Sequence, residues 1–181
     1  MRILITGGPT TGKTTLRVEL GKSLGYKVIN VKKLVKDNPS VYKVKNKEKI
    51  VDIGKLEKIL KKEIGKYSNV IVESHLLCEM NLKGDYIIVL RAGKKTLEKR
   101  MKKRKYSKKK IQENILAELL DYCIVKSKEN LTGKIFEVNT SKRSKEKSLK
   151  LILNIIKKKT SGDKVDFRKE LINFVIGEYH G

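Results

Sequence analysis

The N-terminal part of the sequence contains the segment Gly7-Gly8-Pro9-Thr10-Thr11-Gly12-Lys13-Thr14, which satisfies the pattern G-x-x-x-x-G-K-[ST] of a phosphate-binding loop. Its glycines, including Gly7 and Gly12, let the backbone wrap around a phosphate with N–H groups pointing inward. An apolar run, Arg2–Thr6, precedes the loop, and residues with helical spacing, Lys13–Leu24, follow it. This strand–loop–helix order is the context that the motif requires, because the helix adds its positive N-terminal end.

The polar residues of the loop predict which ligand it takes. The ammonium group of Lys13 is expected to reach the β- and γ-phosphates of a nucleoside triphosphate, and the hydroxyl group of Thr14 is placed to bind Mg²⁺. Thr15 follows on the helix and can approach the α-phosphate. A chance match in a lysine-rich chain is the alternative interpretation, but the surrounding strand and helix argue against it. We therefore predict a magnesium–nucleoside triphosphate site, and the absence of an N-K-x-D sequence argues against guanine.

Five short apolar runs rich in β-branched residues recur along the chain, with helically spaced residues between them. The runs are Arg2–Thr6, Val28–Val31, Val70–Glu73, Tyr86–Leu90 and Ile135–Val138. After the fourth run, apolar residues every four positions from Ile111 to Cys123 predict one stripe of a helix. Strands that alternate with helices need crossover connections. The sequence therefore predicts an α/β fold with a parallel five-stranded sheet and helices on both faces.

Two segments stand apart from this alternation. The residues between Asn30 and Ile53 are polar, lysine-rich and weakly periodic, which predicts a long irregular connection of the kind that is usually functional or mobile. A polar patch, Thr160–Asp163, precedes the last segment. There a helical stripe predicts a docked terminal helix; its members are Val165, Ile172, Val175, Ile176 and Tyr179.

The charge of the chain permits two interpretations. Its 181 residues include 44 Lys and Arg against 20 Asp and Glu, for a formal net charge of +24. The charge fits a polyanionic partner such as RNA, or a lysine-biased surface of solvated helix faces. Lysine outnumbers arginine by 37 to 7, which favours the second interpretation for most of the charge, because arginine is preferred for bidentate phosphate recognition.

The remaining composition predicts a cytoplasmic protein with no membrane partner. Two cysteines, Cys78 and Cys123, are too few for a disulfide framework and suit a reducing compartment. The longest apolar runs, such as Tyr86–Leu90, are too short to cross a bilayer. The opening residues enter a strand directly, so we expect no signal peptide.

An acidic residue and a histidine follow the third apolar run. Glu73 ends the run and His75 comes two residues later. Ligands bind at the carboxyl ends of the strands in open α/β sheets, so Glu73 is expected near the phosphate loop, where it can hold Mg²⁺ through water. His75 is expected on the same side, where it can orient a water molecule or a substrate phosphate. The alternative is that Glu73 only ends the strand and His75 packs in the loop.

Three arginines follow the fourth run. Arg91 closes it, and Arg100 and Arg104 come next with the spacing of one helical turn. Arginines delivered by a closing segment stabilise the charge that spreads over a transferring phosphoryl group. The many lysines around Arg104 are interpreted as a solvated helix face.

Four segments in this order and spacing resemble the adenylate kinase isoenzyme 6 family. They are GGPTTGKTTL (7–16), VESHLL (72–77), YIIVLRAGKKTLEKR (86–100) and RKYSKKKIQENILAELL (104–120). The family consists of small proteins of archaea and eukaryotes with a nucleoside-monophosphate-kinase fold, which also act as ATPases in maturation of the small ribosomal subunit. The resemblance covers residues 2–159.

The resemblance implies a P-loop kinase domain over residues 1–160. The helical extension over residues 161–181 lies outside the resemblance and is predicted from its own apolar stripe. The resemblance implies a monophosphate-binding segment at residues 30–53 and a short lid at residues 103–113. It also implies residues that contact ATP, with Arg104 reaching it from the lid; the others are Thr10, Gly12, Lys13, Thr14 and Thr15. Glu73 and His75 occupy an acid-x-His motif that supports hydrolysis in the family.

The chain departs from the family pattern at three places. Glu73 stands where aspartate is common, and Thr10 stands where glycine is frequent. The segment 30–53 contains no arginine, whereas ordinary adenylate kinases hold the monophosphate with arginines. Three lysines could substitute only as point charges, namely Lys32, Lys33 and Lys36.

The sequence therefore leads to two hypotheses. The first is an Mg-ATP-dependent nucleoside monophosphate kinase, ATP + AMP to 2 ADP, with ATPase activity and a role in small-subunit maturation. The second is an ATP-switched assembly factor that binds a small-subunit ribosomal protein and pre-ribosomal RNA, with little true kinase activity. A third reading, a small kinase for a metabolite acid or alcohol, is disfavoured by the resemblance of the lid.

Overall fold

A parallel sheet forms the centre of the computed structural model, which describes residues 1–45, 48–141 and 143–179. Its strands are β1 (Arg2–Gly7), β2 (Lys27–Asn30), β5 (Val70–Glu73), β6 (Lys83–Arg91) and β7 (Thr132–Asn139). They lie in the order β2-β5-β1-β6-β7, and every adjacent pair is parallel. Two further strands, β3 (Tyr42–Lys45) and β4 (Glu48–Val51), pair antiparallel outside the sheet. The prediction of a five-stranded parallel sheet is confirmed.

Helices cover both faces of this sheet. They are α1 (Lys13–Leu24), α2 (Val31–Asp37), α3 (Ile53–Gly65), α4 (Lys94–Lys103), α5 (Lys108–Leu119), α6 (Tyr122–Asn130), α7 (Lys145–Ile156) and α8 (Arg168–Tyr179). Alternate residues of a strand point to opposite faces, so Ile3 and Ile5 pack with α1 and α7 whereas Leu4 packs with α3 and α6. None of the helices among the described residues is long and apolar enough to cross a membrane.

The parallel register brings the candidate residues to one edge of the sheet. Glu73 on β5 lies opposite Ile5 of β1 and Asn30 of β2. Gly7 on β1 lies opposite Leu90 of β6. The carboxyl ends of four neighbouring strands therefore meet where the phosphate loop begins.

The segment 30–53 is ordered, and the prediction of an irregular connection is wrong for its described residues. The Asn30 side chain caps α2 by accepting a hydrogen bond from the backbone N–H of Lys33. Val31, Val35 and Val41 are buried in the core, because these few apolar positions fit a short helix and the turn after it. The segment contains two short helical elements and an antiparallel strand pair, each too short to give a clear periodic pattern in the sequence. Residues 46 and 47 lie outside the described residues.

The apolar stripe from Ile111 to Cys123 lies on two helices, which corrects the prediction of one. The break falls at Asp121, whose backbone adopts a left-handed conformation with φ of 57°. The Asp121 carboxylate accepts a hydrogen bond from the buried guanidinium of Arg91. This tertiary contact favours a turn where the local pattern favours a continuous helix.

The terminal helix α8 docks, but through a different face from the predicted stripe. Its buried contacts come from Phe174, from Leu171 and from Phe167 just before the helix, which pack with apolar residues of α4 and α5. Ile172, Val175 and Ile176 of the predicted stripe are 57%, 41% and 52% exposed, while Val165 does pack against this cluster. Both faces have helical spacing, and burial of the two phenylalanine rings selects the other one. The Tyr179 side chain and residues 180 and 181 lie outside the described residues.

Docking of α8 supplies a cap for α4. The first turn of α4 has no acidic residue and no capping side chain of its own. The Glu170 carboxylate accepts a hydrogen bond from the Lys94 backbone N–H at 2.7 Å, and Ser141 accepts one from Gly93 at 2.7 Å. A negative group at a helix N-terminus opposes the helix dipole, so the extension stabilises the helix that carries Arg100.

We predict that Glu170→Ala lowers the free energy of unfolding by about 1 kcal/mol, because it removes this capping carboxylate. Urea unfolding followed by circular dichroism measures the change. Glu129→Ala is the matched control, since Glu129 belongs to an exposed pair with Lys126 and is expected to matter by less than about 0.5 kcal/mol. Equal losses in the two variants would contradict the capping role.

Candidate active site

A cavity of about 830 Å³ opens at the carboxyl edge of the sheet. The phosphate loop forms its floor. Residues of the segment 30–53 and residues from 104 to 123 also line it. A volume of this size accommodates a small-molecule ligand.

Two glycines of the loop have backbone conformations that the loop requires. Gly7 has φ of 132°, and a Cβ atom there would lie 2.3 Å from the carbonyl oxygen of Leu90. Gly12 has φ of 105° and directly precedes α1. Thr10 has φ of 60°, a left-handed conformation that costs a residue with a side chain more than it costs glycine. This geometry accounts for the frequent glycine at the Thr10 position in the family that the sequence resembles.

Lys13 lies in the loop with its side chain folded over the backbone. Its Nζ donates hydrogen bonds to the carbonyl oxygens of Gly7 at 2.8 Å and Gly8 at 2.6 Å. Burial lowers the pKa of Lys13, and the nearby carboxylate of Glu73 opposes that shift. An anion in the loop offers this ammonium a stronger partner than two neutral carbonyl groups.

Glu73 lies at the cavity wall, as the strand position predicts, but it has a neighbour that sequence reasoning missed. Arg17 Nη1 lies 3.5 Å from Glu73 Oε2, and both side chains are nearly buried, at 11% and 12% exposed. Arg17 follows Lys13 by four residues on α1, so both lie on one helix face. That spacing was a usable signal, because the chain has only seven arginines.

His75 begins a short turn two residues after Glu73 and lines the same cavity. Ser74 fixes this turn by accepting a hydrogen bond from the backbone N–H of Leu76. The His75 side chain remains accessible to solvent. The surrounding walls nevertheless remove enough water to lower the pKa of His75, and the charge of Lys13 adds to the effect. The ring is therefore neutral at neutral pH and can accept a proton.

Arg104 and Arg100 have different surroundings although they are one helical turn apart. Arg104 directly follows α4, is exposed, and lines both the main cavity and a second one of about 560 Å³. Arg100 donates to the carbonyl oxygen of Thr10 at 3.1 Å and to Thr140 Oγ1 at 3.0 Å, so it braces the phosphate loop. The predicted lid, residues 103–113, consists of the end of α4, a short link and the first turns of α5.

Arg91 is not available to a ligand, which corrects its grouping with the other two arginines. It is 1% exposed and donates to Glu118 Oε1 at 2.7 Å, to Glu137 Oε2 at 2.5 Å and to Asp121. Burial raises the pKa of Glu118, and the charge of Arg91 opposes that shift. The second oxygen of Glu118 lies close to Gly8, so this network extends to the phosphate loop.

The donors at this edge fit a magnesium ion that arrives with a nucleotide. Among the described residues there is no group of three or more His, Cys, Asp or Glu side chains that could hold a metal alone. Thr14 and Glu73 both line the cavity. Mg²⁺ keeps several waters and is commonly held by one or two protein oxygens plus substrate phosphates. Thr14 and Glu73 can provide these protein oxygens.

The predicted ligand-binding residues are thus brought together by the fold. The cavity lining includes Gly7, Thr10, Gly12, Lys13, Thr14, Thr15, Glu73, His75 and Arg104. Their roles toward ATP and Mg²⁺ remain predictions.

Comparison with known proteins gives the family. The family described as AAA domain matches residues 3–121. A "Putative adenylate kinase" of Methanocaldococcus jannaschii is 37% identical over 179 residues, which cover 97% of each chain. A protein of the same name from Pyrococcus furiosus is 37% identical over 156 residues, which cover 86% of this chain and 84% of that one.

Solved structures share the fold at low sequence identity. A deoxyadenosine kinase from M. mycoides has a TM-score of 0.56 and 19% identity, over 87% of this chain and all of that one. A shikimate kinase from Acinetobacter baumannii has a TM-score of 0.62 and 14% identity, over 87% and 93% of the two chains. The nucleoside-monophosphate-kinase-like P-loop fold is therefore shown, and the chain belongs to the adenylate-kinase-like family of these archaeal proteins.

Proposed function

We propose that the protein is a nucleoside monophosphate kinase that transfers the γ-phosphoryl group of Mg-ATP to AMP, giving two ADP. The observation that carries the proposal is that the phosphate loop, the segment 30–53 and residues of the lid all line the main cavity. The names of the archaeal relatives agree with this activity. The residues that line this cavity all lie within the proposed kinase domain, residues 1–160, and the extension, residues 161–181, follows that domain.

The two cavities offer separate places for donor and acceptor. They share Thr10, Gly12, Thr15 and Arg104, so a nucleotide whose phosphates occupy the loop can extend into the second cavity. The acceptor then occupies the main cavity beside Asn30 and the residues after it. Its phosphate would face the γ-phosphate of the donor over Lys13.

Transfer in this site needs positioning and neutralisation of charge. An oxygen of the AMP phosphate attacks the γ-phosphorus, and the bond to the β–γ bridging oxygen breaks, so that two diphosphates leave. Lys13 and Arg104 offset the charge that spreads over the moving group. Mg²⁺ held with the phosphates would supply further neutralisation. Closure of the lid residues excludes water, which would otherwise compete as acceptor.

We expect wild-type protein to form ADP from Mg-ATP and AMP in a coupled assay, with Lys13→Ala lowering kcat by about 100-fold or more. The ammonium group of Lys13 stabilises charge that develops only during transfer. Lys22→Ala is the matched control on the same helix, since Lys22 is exposed and should leave the rate unchanged. No ADP from AMP or from any other nucleoside monophosphate would contradict the proposal.

ATP hydrolysis is a proposed side activity of the same site. Neutral His75 is accessible at the cavity wall and can orient a water molecule toward the γ-phosphate when no acceptor is bound.

For hydrolysis we predict a rate that falls in acid with a midpoint below pH 6.5, because the pKa of His75 is lowered and its neutral form is required. His75→Ala should lose hydrolysis and keep transfer to AMP. Release of inorganic phosphate, followed from pH 5 to 8, tests this. Equal hydrolysis by both proteins would remove His75 from the mechanism.

A second candidate function is that of an ATP-switched factor in small-subunit maturation, as the resemblance to the isoenzyme 6 family implies. The observation that favours it is the net charge of +24 together with seven exposed lysines on α4 and α5, in or near the lid. These lysines could contact pre-ribosomal RNA, and a ribosomal protein would be a further partner.

Under this second function the protein should be retained on small-subunit particles at low salt and released differently with and without ATP. Sedimentation over a salt series measures retention, and a steep salt dependence would indicate phosphate contacts. Absence of retention in every condition would remove the assembly role while leaving the kinase proposal intact.

A further inference from the structure

The acceptor end of the main cavity, beside the segment 30–53, receives few cations from that segment. The segment 30–53 has no arginine. Of its three lysines named above, only Lys32 lines the cavity, and Lys33 and Lys36 are exposed elsewhere. The other residues that this segment contributes to the cavity are Asn30, Val31, Val35 and Val51, which carry no charge.

Arg17 lines this end of the cavity. It comes from α1 rather than from the segment 30–53, and it lines the cavity together with Asn30 and Glu73. The arginines that line this cavity, within the part of the chain that the structure describes, are Arg17 at the acceptor end and Arg104 at the lid end. The cavity therefore has a guanidinium group at each end and Lys13 in the loop between them.

The hydrogen-bonding capacity of Arg17 is not used up by the protein. Its contact with Glu73 Oε2 is 3.5 Å, longer than the 2.7–2.9 Å usual for a charge-assisted hydrogen bond. Its Nε atom is buried and has no hydrogen-bond partner. A buried donor without a partner is costly, and a ligand that draws the Arg17 side chain toward the cavity can supply the missing acceptor.

The chemistry of the group indicates which ligand satisfies it. A guanidinium presents N–H donors in a planar fork that matches two oxygens of a phosphate. Arg17 lies next to Glu73, so a dianionic phosphate has to compete with one carboxylate that is held only loosely. The neighbouring valines suit an uncharged part of an acceptor rather than a second anion.

We infer that Arg17 binds the phosphate of the acceptor nucleoside monophosphate and takes the place of the arginines that the segment 30–53 lacks. The inference rests on the proposed kinase function and assigns its acceptor subsite. Arg17 exchanges its contact with Glu73 for the acceptor phosphate, which leaves the Glu73 carboxylate free to face the magnesium shell beside Thr14. Binding of the acceptor therefore frees a carboxylate for the donor side of the same site.

The test measures binding of AMP and of adenosine by calorimetry, with the donor site filled by the magnesium complex of an ATP analogue whose β–γ bridge is nitrogen. Wild-type protein should bind AMP more tightly than adenosine. Arg17→Ala should weaken AMP binding by about tenfold or more and leave adenosine binding unchanged. Arg17→Lys should restore only part of the affinity, because lysine is a point charge. Arg168→Ala, which removes an exposed arginine paired with Asp166, is the control and should match wild type.

A purely structural role for Arg17 predicts different results. If Arg17 only neutralised Glu73, the double variant Arg17→Ala/Glu73→Gln would recover the AMP affinity, whereas a phosphate ligand is not recovered by that change. Equal weakening of AMP and adenosine, recovery in the double variant, or wild-type AMP affinity in Arg17→Ala would each overturn the inference. If wild-type protein produces ADP and Arg17→Ala leaves the KM for AMP unchanged, the inference is overturned while the kinase function stands. Wild-type protein that transfers phosphate to no monophosphate overturns both.

Discussion

The buried guanidinium of Arg91 is the interaction on which the active edge of this protein depends. It joins β6 to β7 through Glu137, to α5 through Glu118 and to the α5–α6 turn through Asp121. The Phe167 ring of the extension lies 5.1 Å from it. An arginine at 1% exposure is tolerated only because carboxylates surround it. Through Glu118 the same network reaches the phosphate loop at Gly8, so the loop, the lid helices and the extension all contact one buried network.

This arrangement gives the C-terminal extension a mechanical connection to the lid. Phe167 packs on the anchor, Phe174 on the apolar core of α4 and α5, and Glu170 on the first turn of α4. Arg100 and Arg104 lie at the far end of α4, next to the loop and the two cavities. Because α4 is held at its N-terminal end, the lid residues at its other end move relative to that fixed end.

The sequence sufficed for the elements that local pattern determines, and failed where tertiary contacts decide. Apolar runs and the loop motif predicted the sheet and the edge at which Lys13, Glu73 and His75 meet, because strand polarity alone fixes that edge. The break at Asp121 could not be predicted, because Arg91 stabilises it from another element. The docked face of α8 could not be predicted either, since both of its faces have helical spacing. Arg17 was overlooked because its partner Glu73 lies 56 positions away in the sequence.

The proposed function requires the two adjoining cavities to hold a donor and an acceptor nucleotide with their phosphates facing each other over Lys13. The most direct measurement is the affinity of a bisubstrate ligand in which two adenosines are joined by five phosphates, compared with the affinities of ATP and AMP alone. A shared site predicts one ligand per chain, bound far more tightly than either nucleotide, with competition against both. Affinity no better than that of ATP, together with competition against ATP only, would contradict the claim.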